Sequence, residues 1–79
     1  MWIEKDNSLE RTFEFKNFIE AFAFITKVAL LCEKMNHYPV WENSRHLVTI
    51  KLISHDNEHA VSDKNYELSS QIDEIYYHL

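Results

Sequence analysis

Residues 9–35 read LERTFEFKNFIEAFAFITKVALLCEKM, and the apolar period changes once inside that stretch. From Leu9 to Phe15 the positions alternate, with Leu9, Phe13 and Phe15 on one face and Glu10, Thr12 and Glu14 on the other. That is the period of a half-buried strand. Past Lys16 the spacing becomes helical. Asn17 is suited to accept from the first free amides of a helix, and Glu20, three residues on, can reach back toward the Asn17 amide as in a capping box. The predicted helix runs from about Phe18 to Met35.

On a helical wheel Phe18, Phe22, Ile25, Ala29 and Cys32 form one stripe, while Phe24 and Leu31 point elsewhere, as do Ile19, Ala23 and Leu30. The apolar surface is too wide for a single contact. A chain of 79 residues has little room to bury both sides of such a helix internally. The second side is expected to meet another copy, giving a homo-oligomer.

Outward from this segment, Tyr38 to Glu42 reads as a strand that opens near Pro39, whose missing amide hydrogen suits a strand start or edge. Asn43-Ser44 reads as a turn. His46 to His55 is the next strand, with Val48, Ile50 and Leu52 on one face and Thr49, Lys51 and Ile53 on the other. By parity His55 falls on the second face, off the main core. Asp56 to Val61 is a polar connection. Ser62 caps a last helix, with Val61 and Tyr66 spaced as a hydrophobic staple, and Leu68, Ile72, Ile75, Tyr76 and Leu79 form its buried stripe. The expected fold is α+β: one domain over residues 1–79, an antiparallel sheet with helices packed on one face, in the order strand, helix, strand, strand, helix.

Composition excludes several classes of function. The formal charge is -5, against the clustered cations that nucleic-acid binding requires. Direct nucleic-acid binding is not expected. No apolar run approaches the roughly 20 residues of a membrane span, and charged residues follow Met1 where a secretory signal would be apolar, so the expected location is cytoplasmic. There is no glycine, hence no Gly-rich phosphate loop and no dinucleotide fingerprint. One cysteine, Cys32, cannot close an intrachain disulfide. The five histidines lack a recognised metal spacing, so a site built from His37, His46 and His55 is disfavoured.

Histidine is where proton chemistry near neutral pH would sit. His78, in the terminal turn, complements the helix dipole. His46 and His59 read as solvated. His37 and His55 each close a regular element, where side chains converge on a cleft edge. Around them stand Glu33, Tyr38 and Trp41 in one block and Ser54 and Asp56 in the other, supplying carboxylates, hydroxyls and a ring beside two proton carriers. Ordinary surface histidines would satisfy the same pattern.

The run Glu33-Lys34-Met35-Asn36-His37-Tyr38-Pro39-Val40-Trp41-Glu42-Asn43, followed at the right distance by Ser54-His55-Asp56, resembles the signature of pterin-4a-carbinolamine dehydratases. In that family a long helix ends in Glu-Lys-x-x-His-His-Pro-x-Trp-x-Asn, and a strand then finishes in Thr-His-Asp or Thr-His-Glu. The resemblance extends through Arg11 to Phe18 and Ala21 to Ala29, and Trp2 resembles the tryptophan ahead of the family's first strand pair. It implies a 4a-hydroxytetrahydropterin substrate, dehydrated to the quinonoid dihydropterin in tetrahydropterin recycling. The pterin is then the substrate, and neither a metal nor an organic cofactor is implied. On the family pattern His37 and His55 are the acid–base pair, with Glu33, His37, Tyr38, Pro39, Ser54, His55, Asp56 and Asn57 around the substrate.

Three positions depart from the pattern. Tyr38 stands where the second histidine is usual and remains a neutral donor or acceptor. Asn57-Glu58-His59-Ala60 replaces a glycine-rich segment, with one residue more than in some members. Asn65 replaces an aspartate near the start of the last helix, with the loss of a charge favourable at a helix N-terminus. An alternative role is that of a non-catalytic dimerisation or interaction protein of the same fold, since animal members of the family dimerise with a transcription factor through their helical face. Phe24 and Leu31 would supply the apolar surface for it.

Overall fold

A computed structural model describes residues 1–54 and 60–79; the expectations for His55, Asp56, Asn57 and His59 lie outside the described residues. The elements are β1 (Ile3–Lys5), β2 (Ser8–Glu14), α1 (Phe18–Met35), β3 (Val40–Ser44), β4 (Leu47–Ile53) and α2 (Asp63–Tyr77). The strands form one antiparallel sheet in the order β1-β2-β4-β3. The α+β class stands, and the element order gains a first strand: β-β-α-β-β-α. β1 is three residues long and exposed throughout. It carries no apolar alternation from which sequence could announce it.

β2 and β4 run side by side from Ser8↔Ile53 to Glu14↔Leu47. Their inward positions are Leu9, Arg11 and Phe13 on one strand and Val48, Ile50 and Leu52 on the other. Outward, Thr12 and Thr49 join hydroxyls at 2.9 Å. Both helices bury their apolar sides on the inward face, and one cluster contains residues of β2, β4, α1 and α2. Each fully buried Phe or Leu in it contributes about 1.5–3 kcal/mol.

The core side of α1 is Ala21, Phe24, Ile25, Val28 and Cys32. Compared with the expected stripe, the helix is turned toward Phe24, because the small Ala21 and Val28 let it approach the sheet. Phe24 is fully buried, packed in tilted contact with Phe13 and Phe15 at centroid distances of 4.9 Å, and Leu31 packs against the core. Neither can serve as the free interaction surface. The exposed apolar residues of α1 are Phe18, Ile19, Phe22 and Leu30. At the helix start Asn17 Oδ1 accepts from the Glu20 amide at 2.9 Å as expected, but Glu20 Oε1 accepts from the Lys16 amide, not that of Asn17.

The turn expected at Asn43-Ser44 lies two residues later. Ser44 pairs with Leu47, so Arg45 and His46 form the two-residue loop. Asn43 stays in the strand, and its side-chain amide donates to the Arg45 and Leu47 carbonyls at 3.2 and 3.0 Å. Likewise β3 begins at Val40, after Tyr38 and Pro39, and β4 ends at Ile53. Among the described residues three turns need a left-handed residue, and without glycine they use Asp6, Asn36 and Arg45, with φ of 53°, 55° and 54°. Asp and Asn tolerate this region well; Arg does not.

α2 is capped by Ser62 as expected, its hydroxyl accepting from the Asn65 amide at 3.2 Å. Leu68 and Ile72 are buried, and Ile75 and Tyr76 pack against the core. Leu79 lies beyond the helix and is exposed. Tyr66 gives its hydroxyl to Glu4 at 2.6 Å and is partly exposed, so it anchors β1 to α2 where a staple was expected.

Between the sheet and α2 sits a charge. The Arg11 guanidinium donates to Asp73 Oδ1 at 2.8 Å and to the Tyr77 hydroxyl at 3.1 Å, and lies 4.4 Å from the Phe13 ring centroid. Trp2 Nε1 donates to the same Asp73 oxygen at 2.8 Å. Arg11 Nε has no partner among the described residues. This group ties β2 and the residue ahead of β1 to the last turns of α2. Among the described residues no helix is long and apolar enough to cross a membrane.

Candidate active site

The end of α1 determines where His37 sits. Asn36 takes the left-handed conformation, its amide turns back to the Glu33 carbonyl at 3.2 Å, and the His37 amide reaches the Cys32 carbonyl at 3.0 Å. This pair of bonds closes the helix as a Schellman motif. The chain leaves the helix axis there, and half-buried His37 meets the first turn of α2.

Its ring nitrogen Nε2 is hydrogen-bonded to Asn65 Oδ1. Asn65 is fully buried, and its side-chain NH2 donates to Ser54 Oγ at 2.8 Å. Ser54 Oγ also accepts from the Ser62 amide at 2.8 Å. The Ser54 backbone is held in turn by Asn7, whose carbonyl accepts from the Ser54 amide at 2.8 Å and whose side chain donates to the Ser54 carbonyl at 3.1 Å. Thus the end of α1, the start of α2 and the residue after β4 are joined through His37, Asn65 and Ser54.

Glu33 and Tyr38 form a second, exposed group. The single phenolic hydrogen of Tyr38 is shared between Glu33 Oε1 at 3.2 Å and Asn36 Oδ1 at 3.0 Å. Desolvation, then the hydrogen bond to Glu33 and its charge, raise the Tyr38 pKa above its ordinary value, so the phenol stays protonated at neutral pH. Pro39, between Tyr38 and β3, is half-buried. Beneath both groups lies Cys32, whose thiol burial pushes up to about 11.

Of the site residues expected from sequence, Glu33, His37, Tyr38, Pro39 and Ser54 therefore gather around the α1 C-terminus and the end of β4. His55, Asp56 and Asn57 lie outside the described residues. Asn65 was legible only as a departure from a family pattern. Buried and bonded to the His37 ring, it is a direct polar support of the imidazole. His46 and His78 stay apart from this group: His46 lies 3.6 Å from Glu14 in the hairpin loop, and His78 3.8 Å from Glu74 at the end of α2.

The sequence of residues 1–75 matches the family model described as pterin 4 alpha carbinolamine dehydratase. The chain belongs to that family. Two similar proteins, from Prochlorococcus marinus strains AS9601 and MIT 9515, carry the provisional name pterin-4-alpha-carbinolamine dehydratase. They are 49% and 48% identical over 75 residues, 95% of this chain and 77% of theirs. Among solved structures, a transcriptional coactivator/pterin dehydratase from Brucella melitensis superposes with a TM-score of 0.83 at 29% identity, covering 96% of this chain and 80% of that one. A pterin dehydratase-like protein identified as a RuBisCO assembly factor of the alpha-carboxysome superposes at 0.79, with 96% and 87% coverage. At 18% identity it shares the fold alone. The residue pattern 33–43 runs from the last turn of α1 through its cap into β3, and it meets Ser54 of the second block through Asn65.

Proposed function

We propose that this protein is a hydro-lyase that dehydrates a 4a-hydroxytetrahydropterin to the quinonoid dihydropterin, serving tetrahydropterin recycling, with His37 and His55 as the acid–base pair. The observation that carries the reading is His37, set by Asn65 at the junction of three elements within a chain of the dehydratase family. In the reaction the C4a hydroxyl takes a proton from one imidazole and leaves as water, while the N5 proton passes to the other. The ring gains a C4a=N5 double bond. No electrons leave the pair of reactants, so the proposal invokes neither a redox cofactor nor a metal. Glu33, Tyr38, Pro39, Ser54, Asp56 and Asn57 would border the pterin. The site would work in the cytoplasm, in one domain over residues 1–79.

The test is to supply 4a-hydroxytetrahydropterin and follow its dehydration above the spontaneous rate. His37→Ala and His55→Ala should each lower that rate by about 10² to 10⁴, the usual worth of a proton-transfer group. If both variants fold and keep full turnover, the assignment is wrong.

Exposed Phe18, Ile19, Phe22 and Leu30 support a homodimer or homotetramer as the working form. A protein that sediments as a monomer at high micromolar concentration would contradict it. The same exposed residues favour the second reading, a non-catalytic dimerisation or interaction protein. Lack of turnover in the dehydration assay, with the assembly intact, would select that reading.

A further inference from the structure

Asn65 is a fully buried amide whose two ends face different partners: Oδ1 faces His37 Nε2, and the NH2 donates to Ser54 Oγ at 2.8 Å. An amide oxygen only accepts, so the ring nitrogen opposite it must carry a hydrogen. Ser54 cannot move to suit the ring, because its hydroxyl oxygen also accepts from the Ser62 amide and its backbone is held on both sides by Asn7. Asn65 itself is fixed by the helix, its amide on the Ser62 hydroxyl.

We propose that Asn65 is a positioning residue that locks His37 in the Nε2–H tautomer and leaves Nδ1 as the nitrogen through which the ring gains and loses its proton. The use of that proton in catalysis rests on the dehydratase reading; the tautomer does not. A ring that cycles its proton at Nδ1 keeps the Nε2–H bond to Asn65 in both states, so protonation needs no rearrangement of the buried amide. The amide also brings no charge. A carboxylate in its place would stabilise the imidazolium, and this chain forgoes that stabilisation.

Near His37, Asn65 and Ser54 in sequence, the other charged or titratable groups among the described residues are Cys32, Glu33 and Lys34 on α1, Tyr38, Lys51 on β4, and Asp63, Lys64, Tyr66 and Glu67 on α2. None of these is ion-paired with His37 among the described residues. From the end of β4 the ring's support is the neutral Ser54 hydroxyl, through Asn65. The Asn65 contact is thus the one whose charge can be changed by a single substitution without altering its shape.

Long-range ¹H–¹⁵N correlation of the uniformly labelled full chain, above the midpoint of the His37 titration, reads the tautomer in the unaltered protein. The expected pattern is a protonated Nε2 and a bare Nδ1. A protonated Nδ1 overturns the proposal, since Asn65 would then have to present its NH2 to the ring and its oxygen to the Ser54 hydroxyl. Asn65→Asp should raise the His37 midpoint by about one unit or more, as an opposite charge within hydrogen-bond reach does. An unchanged midpoint in that folded variant also overturns it. Asn65→Ala should allow both tautomers, and if it does not fold the first two measurements still decide. Neither readout needs turnover. Absence of dehydration would count against the enzyme reading alone, whereas with dehydration present the acid limb of its pH profile should move with the midpoint in Asn65→Asp.

Discussion

At the scale of single residues, Tyr38 is the clearest departure with a measurable role. Its hydroxyl remains protonated and bonds Glu33 and Asn36. Tyr38→Phe keeps the ring and removes the hydroxyl, so, on the proposed place of Tyr38 beside the pterin, binding should weaken by about 0.5–1.5 kcal/mol while the chemical step is retained. A roughly thousandfold fall in kcat with binding unchanged would instead make Tyr38 a participant in proton transfer. Tyr38→His should be tolerated. Cys32 gives a pH signature. Burial raises its folded pKa from an ordinary 9.0 to about 11, so the stability tied to the neutral thiol is complete below pH 9 and is lost as pH rises through 11. Urea midpoints at pH 8 and pH 10 should therefore differ, and Cys32→Ala should flatten part of that slope; Tyr38 and Tyr66, also raised, contribute in the same direction. An unaltered slope would show that the thiol ionises as freely in the fold as outside it. His37 as a candidate was legible because histidine at the end of a helix is conspicuous. Asn65 was legible only as a departure from a family pattern, since an asparagine in the first turn of a helix is ordinary there and only tertiary structure shows it buried against an imidazole.

At the scale of elements, α1 was readable because period and N-cap agreed on Asn17 as its start; Asn36, which closes it, carried no signal that the sequence reading used. The face it buries was less readable. With apolar residues nearly all round, the wheel cannot choose between Phe22 and Phe24; the sheet chooses, by packing Phe13 and Phe15 against Phe24. β1 was missed for want of any pattern, and the β3–β4 turn was displaced because Asn43, a frequent turn residue, here brackets the turn from within the strand. That turn carries a strained residue. Arg45 holds φ at 54°, a conformation costing a side-chain-bearing residue about 1–2 kcal/mol. Arg45→Gly should therefore stabilise the protein, by about 0.5–1 kcal/mol once the added freedom of the unfolded chain is subtracted. Chemical denaturation would register it as a higher midpoint with the slope unchanged; a lower midpoint would mean that the Arg45 side chain has an unrecognised role.

At the scale of the whole molecule, the alternation in β2 predicted a sheet face but not the cation within it. Arg11, nine per cent exposed, takes its counter-charge from Asp73, which is distant in sequence. Asp73→Ala would strand that guanidinium, whose Nε has no partner among the described residues, and should cost on the order of 3 kcal/mol in a thermal or urea titration. A loss under about 0.5 kcal/mol would mean that Tyr77 and the surrounding rings suffice to hold it. The contacts of this group join residues 62, 66 and 71 positions apart, so both ends of the chain must already be in place before any of them exists. Closure over such separations comes late in folding. Its loss should leave the refolding rate nearly unchanged and raise the unfolding rate by on the order of a hundredfold, which stopped-flow mixing across a urea series would resolve. The lifetime of the folded protein is then governed by a latch at the end of α2 remote from His37, and a variant lacking it would refold at its normal speed yet spend far more of its time open to proteolysis.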